Sequence, residues 1–89
     1  MELSERIIAT LESQGYTSID EQQHAPDASP APVSSDFTTT IHVTDGIVTV
    51  THDGNAVVLR LGEQVTIPAH IPYSIAAGPT GCQLVVGEK

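Results

Sequence analysis

Residues 37–61, "FTTTIHVTDGIVTVTHDGNAVVLRL", decide the fold, because Asp45-Gly46 and Asp53-Gly54 interrupt a run of alternating apolar residues. Asp-Gly flanked by such residues is the strongest short-range signal of a two-residue β-hairpin turn. The residue pairs that two such turns predict are Val50 with Val57, Val48 with Leu59, Val43 with Val48, and Ile41 with Val50. Both turns thus predict one core face made of Ile41, Val43, Val48, Val50, Val57 and Leu59.

The same register assigns faces to the polar residues of this stretch. Thr39 and His52 are predicted on the core face, opposite each other, whereas His42 is predicted on the other face. One bulge at Gly46 would reverse this assignment.

Flanking segments extend the β pattern at both ends. "YTSID" (16–20), "QVTIP" (64–68) and "CQLVV" (82–86) are predicted strands, and Gly62 and the cluster 78–81 are turn signals. Turns that recur every 8–12 residues are typical of a sandwich or barrel. Apolar residues at helical spacing predict a helix over 3–14 that ends at Gly15. Residues 25–36 hold three prolines and are predicted to lie irregularly over the sheet.

Composition limits the classes of function and partner that are expected for this chain. The chain has 89 residues, 39% of them hydrophobic, which suits one domain with a modest core. Three basic and 11 acidic residues give a net charge of −8, so a phosphate-binding patch is not expected and neither nucleic acid nor an anionic membrane is an expected partner. No apolar run approaches the roughly 20 residues of a membrane span. One cysteine, Cys82, is predicted to be a small buried hydrophobe and fits a reducing cytoplasm.

The segment "LGEQVTIPAHIPYSIAA" (61–77) resembles the second conserved motif of the cupins, which reads Gly, five residues, Pro, one residue, Gly, two residues, His. Gly62 and Pro68 match in register. His70 then takes the Gly position, and Tyr73 takes the position of the metal-binding His.

The preceding segment "HAPDASPAPVSSDFTTTIHVTDG" (24–46) is similar to the first cupin motif in spacing. The resemblance places Val33 and Ser35 at its two His positions and Thr39 at its Glu position. It implies a small cupin-type jelly-roll β-barrel, an all-β fold of the RmlC-like kind, with one short N-terminal helix. Residues 1–89 would form this single domain, with the helix at 3–14 and the barrel at 16–89.

Every metal ligand of the family is replaced in this chain. Cupin sites use three imidazoles and a carboxylate, whereas Val33 has no donor, Ser35 and Thr39 are neutral hydroxyls, and Tyr73 holds its proton to a pKa of about 10. No metal and no cofactor are therefore expected.

His52 is the best candidate for a catalytic role, because the predicted register points it into the barrel. The alternative is a core histidine bonded to Thr39 or Tyr73. The expected pocket is Val33, Ser35, Thr39, Ile41, His52 and Tyr73, with His70 at the rim. His70 is interpreted first as a turn residue, since His is enriched among residues with positive φ. His24 and His42 are predicted at the surface or an interface.

These observations predict a metal-free cupin-fold protein that binds a small molecule in its barrel or acts as a dimeric interaction module. A homodimer is expected because Ile47, Val58 and Ile75 are predicted on the outer face and need cover. One alternative is an enzyme of isomerase, epimerase or lyase type, with His52 as general base near Tyr73 and Thr39; the missing ligands argue against it. Another alternative is a noncanonical metal site using His52 and His70.

Overall fold

The computed structural model describes residues 3–29 and 32–89. The elements within these ranges are α1 (Leu3–Ser13), β1 (Ser18–His24), β2 (Thr39–His52), β3 (Asn55–Leu59), β4 (Gln64–Ile67) and β5 (Tyr73–Glu88). The predicted helix is confirmed and ends one residue early. The first strand lies two to four residues later than "YTSID" indicates.

The strands form one antiparallel sheet that folds over on itself. β2 and β5 are long and pair with each other on both sides of a corner near Gly46. On one side of the corner the order of strands is β1, β5, β2, β4; on the other side it is β5, β2, β3. Inward residues from both halves pack into a single core cluster, which gives the all-β architecture that the resemblance implies.

The corner is built from two glycines on neighbouring strands. Gly46 has a φ of 76° and pairs with Cys82, and the register shifts on either side of it. A Cβ on Gly46 would lie 2.2 Å from the carbonyl oxygen of Gly81. Asp45-Gly46 is therefore a bulge within the continuous strand β2, and the predicted hairpin there is wrong. The cluster 78–81 likewise lies within β5.

The predicted pairs Val43–Val48 and Ile41–Val50 are wrong for the same reason. Val43 pairs with Leu84, and Val48 pairs with Leu59 and Ala77. The predicted core face is nevertheless correct. A two-residue turn and a bulge within a continuous strand each shift the alternation by one residue, so either one brings Val43 and Val48 to the same face. The bulge here replaces the predicted turn and does not add to it, so the predicted faces of His42 and His52 are not reversed. The buried residues of this face are Ile41, Val43, Val48, Val50 and Leu59, with Val57 partly buried beside them.

The hairpin at Asp53-Gly54 is confirmed. Asp53 has a φ of 51° and Gly54 a φ of 77°, the two positive values that a type I′ turn requires. His52 pairs with Asn55 across this turn, and the predicted pairs Val50–Val57 and Val48–Leu59 follow.

Thr39 and His52 do not lie opposite each other. Thr39 pairs with Ile67 and Glu88, whereas His52 pairs with Asn55 and Tyr73. Both residues occupy inward-facing positions of β2, but the corner at Gly46 lies between them.

The helix packs on the outer face of the sheet. Ile7 and Leu11 lie against Tyr16 and Val85, and all four are buried. Gly15 ends the helix with a φ of 92°, and Tyr16 N–H donates to the carbonyl of Leu11 at 3.1 Å, as in a Schellman motif. Among the described residues, no helix combines the length and the apolar content needed to cross a bilayer.

The described part of the irregular segment lies over the sheet, as predicted. Ala77 N–H donates to the carbonyl of Ala28 at 2.8 Å, and Ala28 packs against the core. Val33 and Tyr73 exchange two backbone hydrogen bonds, of 2.9 and 2.8 Å. The segment thereby closes one end of the folded sheet.

Candidate functional site

A cavity of about 150 Å³ opens between the two halves of the folded sheet, and we name it the barrel cavity. Its apolar walls come from the irregular segment and from inward positions of β2 and β5: Val33, Ile41, Ile75, Leu84 and Val86. A void of this size lined by aliphatic side chains is large enough for one benzene-sized molecule.

Polar groups line the cavity at two places. Gln22 and His24 project from β1, and Tyr73 and Ser74 begin β5. The Nε2 atom of His24 lies 3.1 Å from Oε1 of Gln22. This pair supplies hydrogen-bonding groups on a wall that is otherwise apolar.

The placement of His24 corrects the prediction that it is a surface or interface residue. His24 pairs with Cys82, and Gln22 pairs with Leu84, so both follow the inner face of β5. Alternation within "SIDEQQH" indicates only the face of His24, because Ile19 packs beside the helix on the outer face and Gln22 and His24 have the opposite parity. It does not indicate which strand lies next to that face. The predicted strand ended at residue 20, so its alternation was not extended to Gln22 and His24.

Tyr73 lines the cavity and lies near Glu88, at the end of β5. Burial raises the pKa of the Tyr73 phenol, and the nearby Glu88 carboxylate raises that pKa further. Deprotonation is thus disfavoured both by lost solvation and by like charge. The hydroxyl is a neutral donor at physiological pH.

Glu88 belongs to this end of the sheet although no motif or pattern in the sequence indicated it. Ser35 Oγ donates a hydrogen bond to Glu88 Oε2, and Glu88 pairs directly with Thr39. Thr39 holds the position that carries the carboxylate in the family motif, so the structure places a carboxylate opposite that position, on the neighbouring strand. No motif spacing could indicate this, because only strand pairing joins the two residues.

The four family positions lie at this end of the sheet, but they do not fit the family's metal. Val33 is bridged to Tyr73, while Ser35 and Thr39 both meet Glu88 by hydrogen bond or pairing. These residues supply no imidazole, and within residues 3–29 and 32–89 no three His, Cys, Asp or Glu side chains cluster as metal ligands. The noncanonical site on His52 and His70 therefore gains no third ligand from the described chain.

His52 lies beside Tyr73 and outside the barrel cavity. It pairs with Tyr73, as the catalytic alternative requires, but not with Thr39. It lines a separate surface depression of about 220 Å³ together with Thr51, Pro72 and Tyr73. Of the predicted pocket residues, the cavity takes Val33, Ile41 and Tyr73, whereas Ser35, Thr39 and His52 are not part of its lining.

His70 has a φ of 69°, in keeping with its interpretation as a turn residue at a position where the family has glycine. Its backbone N–H donates to the carbonyl of Ser35 at 2.7 Å. Its Nδ1 lies 3.5 Å from Oδ1 of Asp36, and both side chains are largely exposed. A pair so exposed contributes little to stability.

His42 and Cys82 lie on opposite sides of the sheet. His42 pairs with Val85 on the outer face, as predicted, but it is half-buried rather than at the surface, and its Nε2 atom has no hydrogen-bond partner among the described residues. Burial lowers the pKa of His42. Cys82 is buried in the core, as predicted, and burial raises the pKa of its thiol.

Solved structures share this architecture. The chain is similar to an RmlC-like cupin from Shewanella frigidimarina, with a TM-score of 0.73 and 21% identity over 79% of this chain and 62% of that one. It is similar to a cupin superfamily protein from Desulfitobacterium hafniense, with a TM-score of 0.74 and 19% identity over 83% and 68% of the two chains. It is also similar to a cupin domain from Schizosaccharomyces pombe, with a TM-score of 0.76 and 13% identity over 84% and 56%.

No profile of a known protein family matches the sequence. No curated protein matches it at a significant level. Identities this low establish the fold alone, and the chain spans about 62% of the length of the Shewanella protein. The fold is that of the cupins, as the resemblance implies.

Proposed function

We propose that this cupin-fold chain binds a small, largely apolar molecule in the barrel cavity without a metal ion. The observation that carries the proposal is the cavity of about 150 Å³, whose aliphatic walls are interrupted by Gln22, His24 and Tyr73. Ligand sites combine apolar walls with a few polar groups that orient the ligand.

The size of the cavity limits which ligands can bind. Drug-sized molecules need about 300–1,000 Å³. A sugar nucleotide exceeds the barrel cavity and also needs basic side chains for its phosphates, and the one arginine beyond α1, Arg60, is exposed. A single ring or a short branched chain fits this volume.

Filling the cavity tests the proposal. Val33 lines the cavity but is 52% exposed, so Val33→Phe can occupy the space with little cost in folding. Benzene would be titrated into labelled protein while the methyl resonances of Ile41, Leu84 and Val86 are followed by NMR. We expect saturable shifts in the wild type and none in Val33→Phe.

The matched control is Val58→Phe, because Val58 is 47% exposed and lies on β3, outside the cavity lining. This variant should bind benzene as the wild type does. Absence of saturable shifts in the wild type would overturn the proposal, and equal loss in both variants would show that the shifts do not report the cavity.

A dimeric interaction module is a second proposal, supported by exposed apolar side chains. Ile47 is 39% exposed and Val58 is 47% exposed, whereas Ile75, predicted beside them, faces the core opposite Val50. Pairing of two copies through this surface would cover both side chains. Light scattering should give about twice 9.4 kDa, and Val58→Lys should return the mass to 9.4 kDa. A wild-type mass of 9.4 kDa would contradict the module.

A further inference from the structure

We propose that the barrel cavity selects a small organic cation, a primary amine on a one-ring or short branched apolar body, with its ammonium group beside Glu88. This inference deepens the proposed function and rests on it. The class of ligand follows from the negative charge of Glu88, which lies just beyond one wall of the cavity.

Glu88 stands one inward position beyond the cavity wall. Val86 and Ile41 line the cavity and pair with each other, and Glu88 and Thr39 are the next inward pair along the same two strands. Two residues of strand advance about 6.6 Å. A one-carbon arm on a ring held between Val86 and Ile41, together with the hydrogen bond from the amine, matches this advance.

The carboxylate is held in place and retains capacity to accept. Ser35 Oγ donates to Oε2 of Glu88, and no described residue donates to Oε1. Tyr73, which lines the cavity, lies close enough to Glu88 for the charge to raise the pKa of its phenol. The negative charge of Glu88 therefore acts on a side chain of the cavity wall.

No described basic side chain competes for this carboxylate or offers a site for an anion. Arg6 and Arg60 are exposed, and neither lines the cavity. Lys89 Nζ donates to the carbonyl of Gln14 at 3.1 Å and lies 4.8 Å from the centre of the Tyr16 ring, on the side of the helix. With a net charge of −8, the protein repels anions and attracts cations.

The test compares three probes with the same ring: benzylamine, benzyl alcohol and benzoate. Each would be titrated into the full chain by NMR at a pH well above the ordinary histidine pKa of about 6.5. We expect benzylamine to bind about tenfold more tightly than benzyl alcohol, because a hydrogen bond to a charged group is stronger than a neutral one. Benzoate should not bind.

Glu88→Gln should abolish the preference for benzylamine while benzyl alcohol still binds. Glu21→Gln is the matched control, because it removes one negative charge from an exposed residue that pairs with Val85 on the outer face. It should keep the tenfold preference. A preference that persists in Glu88→Gln would overturn the inference.

Other outcomes separate this inference from the proposed function. Equal binding of the amine and the alcohol to the wild type would overturn the cation selectivity and leave the apolar cavity site intact. No binding of either probe would overturn both. Circular dichroism would establish that Glu88→Gln is folded, and if it is not, the preference among the three probes in the wild type decides the matter alone.

Discussion

Asp45-Gly46 and Asp53-Gly54 are the same dipeptide, eight residues apart, and the structure uses them differently. Gly46 and Gly54 have nearly equal φ values, 76° and 77°. A Cβ on Gly54 would meet nothing within 4 Å, whereas one on Gly46 would lie 2.2 Å from the carbonyl of Gly81. The dipeptide determines a positive φ in both places, and the neighbouring strand decides whether that residue turns the chain or bulges it.

The two histidines of β2 show the consequence for side chains. His42 and His52 are ten residues apart, so simple alternation would put them on one face. His42 lies on the outer face opposite Val85, and His52 lies on the inner face opposite Tyr73. The bulge at Gly46 lies between them and reverses the alternation.

The largest effect is expected for Gly46→Ala. It combines the cost of a left-handed residue with a collision against backbone that cannot move away, and it should lower the free energy of unfolding by about 3 kcal/mol. Urea denaturation followed by circular dichroism measures this loss. A loss below about 1 kcal/mol would show that the corner is not packed as described.

Gly81→Ala tests the other side of the corner. Its φ is 81°, and a Cβ there would lie 2.7 Å from the carbonyl of His24. The contact is less severe than at Gly46, so we expect a loss of about 2 kcal/mol in the free energy of unfolding. Because the contact is with β1, the amide resonances of Gln22 and His24 should shift most. Shifts confined to β3 would contradict the pairing at this corner.

Gly54→Ala should have a smaller effect than either corner variant. Only the backbone strain of a positive φ remains there, which corresponds to about 1 kcal/mol. The same urea titration ranks the three glycines. If Gly54→Ala is as damaging as Gly46→Ala, the distinction between the hairpin and the corner fails.

The smallest effect concerns pH and sharpens the comparison of the two histidines. Burial lowers the pKa of His42 in the folded state below the ordinary histidine value of about 6.5. The folded state therefore binds fewer protons, and the stability associated with neutral His42 is present above pH 6.5 and is lost as the pH falls through the lowered pKa.

His42→Leu should flatten the acid side of the stability profile without a loss at neutral pH, since it removes a buried nitrogen that has no partner among the described residues. His52→Leu is the control, because it removes the other histidine of β2 and leaves His42 in place. Denaturation midpoints measured from neutral to acid pH provide the test. An unchanged profile in His42→Leu would contradict the burial of this ring.

Several features of the site could not be predicted from spacing along the chain. Glu88 meets Thr39 through strand pairing, and it meets Ser35 through a side-chain hydrogen bond across 53 residues. His24 lines the cavity because β1 pairs with β5 in a register that puts His24 beside Cys82 on the inner face of the sheet. Both contacts join distant segments, and periodicity carries no information about which strands become neighbours.

The sequence by itself determined the core face, the hairpin at Asp53-Gly54 and the helix end at Gly15, because alternation, turn chemistry and capping act between residues close in the chain. The cupin-type architecture was implied by the resemblance of residues 24–46 and 61–77 to the two family motifs. Tertiary structure alone decided that β2 continues through Gly46, that His24 lines a cavity and that a carboxylate stands opposite Thr39. Each of these depends on the strand that packs alongside. A positive φ or an alternating face is a local property that is compatible with more than one path of the chain. The neighbouring strand determines which path forms.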